Sequence, residues 1–169
     1  MRKGLMENKK LLTVYIAYGS NMGEWLKIQK KVFPLIELRI GTVLQKSKTY
    51  ISPAWGKTDQ PDFKNGVIQA ETALNSLQCL KALKKIELDL GRVTIEKWGP
   101  RIIDLDIIDF NGEIVSTEEL TLPHPYAHKR QFVLEPLAEI APNLVLPNFS
   151  KSISEILSSL ADKVVLTFH

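Results

Sequence analysis

Two aspartates separated by one residue stand in an apolar run that follows a Trp-Gly-Pro turn. Because side chains alternate between the two faces of a strand, Asp104 and Asp106 share one face and Leu105 takes the other. Arg101 stands just before the pair. Two carboxylates beside cations suit a hard divalent cation and the phosphates that it carries. A D-x-D pattern is more often a solvated strand face, so the pair by itself leaves both interpretations open.

Further residues could complete a site around these carboxylates. The cations are Arg92, Lys97, Arg101, Lys129 and Arg130, and the loop aromatics are Trp55, Phe63, Trp98 and Phe132. The others are His124, which follows a proline, and Asn65, an amide early in a strand. Each has a plainer explanation, since loop cations are usually solvated and an aromatic at a helix start more often packs in the core. Together they describe a site for a flat aromatic ligand beside a metal-bound polyphosphate, with rings stacking and arginines gripping phosphate.

Length and composition limit the possible classes of protein. The chain of 169 residues predicts a single domain, residues 1–169, in which residues 1–10 form a flexible polar tail. The one cysteine, Cys79, allows no internal disulfide and suits a reducing compartment, the cytoplasm. No apolar stretch approaches the roughly 20 residues of a membrane span. The net charge of +3 is too mild to indicate nucleic acid but suits an anionic ligand.

The order of predicted elements is strand, helix, strand, strand, helix, strand. The strands are expected at 12–18, 40–50, 63–74 and 102–110, the long helices from residue 25 and over 75–90, and short helices around 132–140 and 152–160. Ser20 or Asn21 is expected to cap the first long helix, as part of a structural turn, and Asn75 or Ser76 the second. Asn111-Gly112 predicts a hairpin joining the last strand to residues 113–115.

This order predicts an α+β fold, a ferredoxin-like βαββαβ sandwich with a mainly antiparallel sheet, a C-terminal hairpin and short helices. Both long helices would cover one face of the sheet and leave the other free for loops and a ligand. Asp104 and Asp106 would point to the free face, while Ile103, Leu105 and Ile107 would pack beneath the helices.

Several motifs resemble those of one enzyme family. Y-I-A-Y-G-S-N, Y-x-S-P, D-Q-P-D-F-x-N, I-E-x-x-x-G-R, K-W-G-P-R-x-x-D-x-D and L-P-H-P follow in order between Val14 and Pro147. Together they resemble the 6-hydroxymethyl-7,8-dihydropterin pyrophosphokinases of folate biosynthesis. The resemblance implies a kinase-type transferase that moves the β,γ-diphosphate of ATP to the hydroxymethyl group of the dihydropterin and releases AMP.

The resemblance also implies a role for each matching residue. Asp104 and Asp106 would bind two Mg²⁺ ions that arrive with ATP, and they would act in catalysis with Arg92, Trp98 and Arg101. The pterin-binding residues would be Ser52, Pro53, Trp55, Phe63, Asn65, Trp98 and Phe132. The ATP-binding residues would be Glu87, Lys97, Arg101, Ile107, Thr121, His124 and Arg130.

The segment from Arg92 to Lys97 departs from the family pattern. Thr94 and Lys97 stand where arginine can occur, the loop is one residue shorter than in some relatives, and Glu119 replaces a cation found in some of them. Lysine lacks the planar fork of arginine, so it does not fully replace an arginine clamp. The individual roles in this loop therefore stay open.

Three other functions were weighed against this interpretation. A binding module that has lost its chemistry conflicts with the complete D-x-D motif, and a D-x-D nucleotidyltransferase leaves Asn65 and Phe132 unexplained. An RNA-binding domain lacks aromatic residues interleaved with basic ones on its strands. The expected partners are therefore ATP and the pterin, without nucleic acid or membrane, and a monomer is expected.

Overall fold

The computed structural model describes residues 10–54, 59–92, 99–161 and 167–168. Within them, six strands form one antiparallel sheet: β1 (Leu12–Ser20), β2 (Gly41–Lys46), β3 (Tyr50–Ser52), β4 (Phe63–Thr72), β5 (Asp104–Phe110) and β8 (Thr167–Phe168). The described helices are α1 (Trp25–Arg39), α2 (Ser76–Asp89), α3 (Gln131–Ile140) and α4 (Ile153–Ser158). None of them is long and apolar enough to cross a bilayer.

The sheet has the strand order expected of a ferredoxin-like fold. β1 lies between β5 and β4, and both β2 and β3 pair with β4 on its other side. Residue 47 interrupts the predicted strand at 40–50. The backbone N–H of Ser47 donates to the carbonyl of Val67, and the Ser47 hydroxyl accepts the backbone N–H of Val67. The predicted strand is therefore two strands. The predicted fold class is confirmed.

The two long helices cover one face of the sheet. Helix α2 begins at Asn75, whose side chain accepts from the backbone N–H of Gln78 in a capping box, and it ends before Gly91 at a φ of +88°. Helix α1 begins instead at Glu24, which forms no side-chain cap, so the prediction that Ser20 or Asn21 caps it was wrong. Ile103, Leu105 and Ile107 pack beneath these helices, as predicted.

The opposite face, called here the α3 face, is only partly open. Helices α3 and α4 pack on it and bury a second apolar cluster that includes Val67, Ile108 and Leu134. The expectation that this face is free was therefore wrong, because the apolar side chains of residues 132–157 need a surface to cover. The space left beside α3 forms the candidate site.

The turn at Asn111-Gly112 does not pair β5 with residues 113–115. Both turn residues have positive φ, but the predicted pairing was wrong, because the following strand β6 (Val115–Ser116) pairs with β7 (Thr121–Leu122) in a separate hairpin. The outer edge of β5 has no neighbouring strand in the sheet, and it bonds instead to the Glu87 side chain of α2 and to the backbone of His124.

Candidate active site

A cavity of about 370 Å³ lies on the α3 face, at the end of β5 that carries the two aspartates. Its walls include most of the residues that the sequence singled out: Ser52, Pro53, Phe63, Asn65, Arg92, Arg101, Asp104, Asp106, His124, Arg130 and Phe132. Residues separated by 80 positions in the chain thus meet around one space of the size that small-molecule sites usually have.

Asp104 is paired with two arginines at one end of the cavity. Arg92 donates from Nη1 to Oδ1 over 2.8 Å, and Arg101 donates from Nη1 to Oδ2 over 2.7 Å. Asp106 lies two residues on along β5 and shares the face. Burial and the negative charge of Asp104 raise the pKa of Asp106 to about 6. Lys84 and Arg130 oppose this rise from nearby.

Glu87 stands behind this end of the cavity. Its carboxylate is buried, accepts the backbone N–H of Leu105 over 2.6 Å and pairs with Arg92 and with Lys84. Leu105 needs this partner because β5 is an edge strand, whose outward N–H groups find no strand beside them. Burial raises the pKa of Glu87, and the two cations oppose that rise. Glu87 therefore holds the two cations in place without lining the cavity.

Lys84 is a lining residue that sequence reasoning missed. Its ammonium lies 3.2 Å from both carboxylate oxygens of Glu87 and 3.5 Å from the carbonyl oxygen of Leu105. It reaches the cavity from α2, which otherwise packs on the opposite face of the sheet. The i, i+3 spacing of Lys84 and Glu87 suggests only a surface pair, so no local signal marked the lysine.

The other end of the cavity combines a buried amide with aromatic rings. Asn65 is 5% exposed and donates from Nδ2 to the Ser52 hydroxyl over 2.8 Å. A side chain at Gly19 would bring its Cβ within 3.2 Å of the Asn65 Oδ1, so the glycine leaves room for this amide. Phe63 and Phe132 line the same region. This end can read the polar edge of a flat ring and contact its faces.

His124 is held by a β-bulge. Tyr15 pairs with Asp109 and Ile16 with Ile107, so Ile108 is an extra residue in β5, and its carbonyl accepts the backbone N–H of His124 over 2.9 Å. The imidazole Nδ1 accepts the backbone N–H of Tyr126 over 3.2 Å. Burial and the nearby Arg130 lower the pKa of His124 to about 4. His124 is therefore a neutral imidazole at pH 7, with its proton on Nε2.

Arg130 lies against two aromatic rings beside His124. Its guanidinium is centred 5.4 Å from the ring of Tyr126 and 5.8 Å from that of Phe132. Both distances suit cation–π contact, which helps to hold the guanidinium in position. Tyr126 is a second lining residue that the sequence did not mark.

Asn21 joins the two loops that border the cavity. Its Oδ1 accepts the backbone N–H of Arg101 over 2.8 Å, and its Nδ2 donates to Gln60 and to the carbonyl of Pro61 over 2.9 and 3.0 Å. Asn21 is 7% exposed, and the sequence indicated only a turn residue there. The one local sign that Asn21 joins the two loops is that it is a polar residue directly after a strand and does not cap a helix.

The remaining predicted site residues lie elsewhere. Ile107 is buried in the core beneath α1 and α2, Thr121 is exposed in β7, and Lys129 is exposed beside the cavity residue Arg130. Trp55, Lys97 and Trp98 fall outside the described residues.

Comparison with known proteins places the chain in a family. Residues 15–142 match the family described as 7,8-dihydro-6-hydroxymethylpterin-pyrophosphokinase (HPPK). A relative from Haemophilus influenzae, named 2-amino-4-hydroxy-6-hydroxymethyldihydropteridine pyrophosphokinase, is 40% identical over 160 residues, which cover 94% of this chain and 99% of the relative. A relative of the same name from Pseudomonas aeruginosa is 41% identical over 147 residues, covering 86% of this chain and 90% of the relative.

Solved structures agree on the fold. A crystal structure of an HPPK-DHPS chain in complex with substrates superposes with a TM-score of 0.73 at 14% identity, over 89% of this chain and 44% of that longer one. A Plasmodium falciparum HPPK-DHPS structure with pterin and p-hydroxybenzoate gives a TM-score of 0.71 at 16% identity, over 91% of this chain and 44% of that one. The match over residues 15–142, with relatives near 40% identity along almost their whole length, shows that this chain belongs to the 7,8-dihydro-6-hydroxymethylpterin-pyrophosphokinase family.

Proposed function

We propose that the chain transfers the β,γ-diphosphate of ATP to the hydroxymethyl group of 6-hydroxymethyl-7,8-dihydropterin, a step of folate biosynthesis, and that this cavity is where it does so. One observation carries the assignment of the site. A single cavity joins a carboxylate pair and four cationic side chains at one end to a buried amide at the other, and two aromatic rings complete its lining: Asp104 and Asp106, Lys84, Arg92, Arg101 and Arg130, Asn65, Phe63 and Phe132.

The amide end is assigned to the pterin. Asn65 offers an acceptor and a donor to the polar edge of the ring, and its contact with Ser52 fixes the direction in which the amide points. Phe132 and Phe63 stack on the ring faces. Pro53 completes this wall, and Trp55 and Trp98 are proposed to contribute from outside the described residues.

The cationic end is assigned to the ATP phosphates. Arg92 and Arg101 neutralise Asp104, and a bound polyphosphate offers each guanidinium a further anion to which it can donate two parallel hydrogen bonds. Lys84 and Arg130 add charge from the two sides of the cavity, and Lys97 is proposed to join them. These cations neutralise charge that the phosphates develop as the bond to AMP breaks.

Asp104 and Asp106 fit two Mg²⁺ ions that arrive with the nucleotide. Among the described residues, no cluster of three or more metal-ligating side chains occurs, so the carboxylate pair would need phosphate oxygens and water to complete the coordination. Mg²⁺ is usually bound in this way, by one or two carboxylates together with substrate phosphates. Burial and the charge of Asp104 raise the pKa of Asp106, and a bound dication would favour its charged form. Bound there, Mg²⁺ would neutralise the polyphosphate and acidify the attacking hydroxyl.

The reaction needs position and charge rather than an enzyme nucleophile. The hydroxymethyl oxygen attacks the β-phosphorus in line, the bond from that phosphorus to the oxygen of the α-phosphate breaks, and AMP leaves with those electrons. The hydroxyl proton passes to solvent, with Asp106 as a transient acceptor beside it. His124 donates from Nε2 to a phosphate oxygen and does not act as a base, because its lone pair on Nδ1 is already engaged.

A product assay tests the proposal. The protein is mixed with ATP, Mg²⁺ and the pterin, and AMP is measured with and without the pterin. Pterin-dependent AMP is expected, and Asp106→Ala should abolish it while leaving the circular dichroism spectrum unchanged. Release of pyrophosphate instead of AMP would indicate a nucleotidyltransferase, and pterin binding without AMP would indicate a binding module. Wild-type turnover by Asp106→Ala would overturn the assignment of the carboxylates.

A further inference from the structure

Helix α3 is tied to strand β3 through one glutamate. Oε2 of Glu139 accepts the backbone N–H of Lys48 over 3.0 Å and the phenolic O–H of Tyr50 over 3.0 Å. Lys48 precedes β3, Tyr50 is the first residue of β3, and Glu139 lies in the last turn of α3. The bonds therefore join two elements that carry different walls of the cavity.

On helix α3, Glu139 lies on the same side as the cavity residue Phe132. Glu139 follows Phe132 by seven residues, which is two turns of an α-helix, so both side chains project from the same side of α3 about 10 Å apart. Phe132 lines the cavity at the start of the helix. Fixing Glu139 therefore fixes the rotation of α3 about its own axis and the height of the Phe132 ring above the sheet.

On strand β3, Tyr50 lies beside the buried amide of Asn65. Tyr50 lies directly opposite Asn65 in the pairing of β3 with β4, so their side chains share one face of the sheet. Ser52 is two residues further along β3, shares that face and accepts the Asn65 amide. Tyr50 therefore stands beside the hydrogen-bonded pair that faces the cavity.

We infer that Tyr50 and Glu139 are a positioning pair, which sets the distance between the Phe132 ring and the Asn65 amide and thereby the fit of the flat substrate ring. The inference rests on the proposed function, because it takes these two residues as the pterin contacts. Neither Tyr50 nor Glu139 lines the cavity. Burial and the carboxylate of Glu139 raise the pKa of Tyr50 to about 12, so its hydroxyl keeps its proton and remains a donor at physiological pH.

Three substitutions separate this role from a general effect on the fold. Tyr50→Phe removes only the hydroxyl, Glu139→Ala removes the acceptor, and Glu139→Gln keeps an acceptor oxygen and should rescue binding. Tyr15→Phe is the matched control, since it removes a hydroxyl from the same sheet face away from the cavity, and Glu37→Ala removes an exposed glutamate from α1. Each variant is titrated with the pterin in the presence of a hydrolysis-resistant ATP analogue, and with the analogue alone.

Tyr50→Phe should bind the pterin about three- to tenfold more weakly, the loss of one hydrogen bond to a carboxylate at a partly exposed site. Glu139→Ala should bind it at least as weakly, because it loses this bond and the bond from the backbone N–H of Lys48. The affinity for the nucleotide analogue, both controls and Glu139→Gln should stay within twofold of wild type. In turnover, KM for the pterin should rise while kcat at saturation changes little. The double variant Tyr50→Phe/Glu139→Ala should be no weaker than Glu139→Ala, because Glu139→Ala already removes the acceptor of the Tyr50 hydroxyl.

Unchanged pterin affinity in Tyr50→Phe and Glu139→Ala would overturn the inference. Equal losses for pterin and nucleotide, with a lowered melting temperature, would also overturn it, since they would show a purely structural tie. A wild-type protein that binds no pterin would instead overturn the proposed function, and the inference would fall with it. The wild-type titration therefore distinguishes the two failures.

Discussion

Arg101 and Asp104, three residues apart in the chain, form an ion pair of 2.7 Å in the cationic end of the cavity. Arg92 takes the other oxygen of the same carboxylate at 2.8 Å. Asp104 is therefore neutralised by two direct ion pairs. A polyphosphate that enters the cavity competes with Asp104 for both guanidinium groups, so nucleotide binding and release of this carboxylate are coupled events.

Arg101→Ala should slow the chemical step more than it weakens nucleotide binding. The guanidinium is expected to stabilise charge that develops only as the phosphorus–oxygen bond breaks, so kcat should fall about a hundredfold or more. The affinity for a hydrolysis-resistant ATP analogue should fall less than tenfold. Single-turnover kinetics and calorimetry measure the two quantities. An effect confined to nucleotide affinity would contradict the role.

Asn65→Ala should weaken pterin binding by about 1–3 kcal/mol, the cost of leaving a hydrogen-bonding group of the ligand without its partner. Because Asn65 lies at the amide end of the cavity, the nucleotide affinity serves as an internal control and should not change. Calorimetric titration with the pterin measures the effect. Equal pterin affinity in variant and wild type would refute the assignment.

Asn21→Ala should lower the free energy of unfolding by about 2–3 kcal/mol, because it removes three hydrogen bonds of one buried side chain. Asn21→Asp keeps the acceptor for Arg101 and loses both donors, so it should fall between the wild type and Asn21→Ala. Urea denaturation of the three proteins gives the free energies. Identical midpoints would show that the loops do not depend on this side chain.

Lys84→Met should weaken binding of the ATP analogue about tenfold, as expected for the loss of a charged hydrogen bond to phosphate. Lys81→Met is the matched control, because Lys81 is an exposed lysine of the same helix. The affinity should become less dependent on salt in the Lys84 variant only. Equal nucleotide affinity in the two variants would remove Lys84 from the phosphate site.

His124 should remain neutral in the free protein down to low pH. Its pKa lies near 4, below the ordinary 6.5, so the stability that it contributes is complete above about pH 6.5 and is lost as the pH falls through about 4. Nuclear magnetic resonance of the three histidines measures this directly, with His124→Asn to assign the signal. A His124 titration near 6.5 would contradict the buried environment described here.

Local sequence patterns predicted most of the elements, and most of the residues singled out in the sequence line one cavity. Alternation placed Asp104 and Asp106 on one face with Leu105 on the other, and the Asn75 cap and Gly91 marked both ends of α2. Such signals act over a few residues, where backbone geometry and side-chain chemistry are decided by near neighbours. The fold class followed from the order of the elements, because few topologies connect that order compactly.

The alternation of side chains between the two faces of the sheet is broken at one place in β5. Strict alternation would turn Asp109 into the core beneath α1 and α2 and Phe110 out of it. The bulge at Ile108 reverses both, so Phe110 packs with that core and Asp109 lies opposite Tyr15 on the α3 face. A bulge depends on the strand that pairs beside it, so periodicity within β5 does not reveal it.

The sequence by itself determined which residue types the site contains, which face of β5 carries its carboxylates and which family the motifs resemble. Only the tertiary structure decided that Asn21 joins two loops, that Lys84 reaches the cavity around a sheet edge and that Glu139 ties α3 to β3. These contacts link residues 80, 21 and 89 positions apart. Their partners are chosen by how helices pack on the sheet and by which edge groups need a hydrogen bond, and both follow from the assembled fold rather than from neighbouring residues.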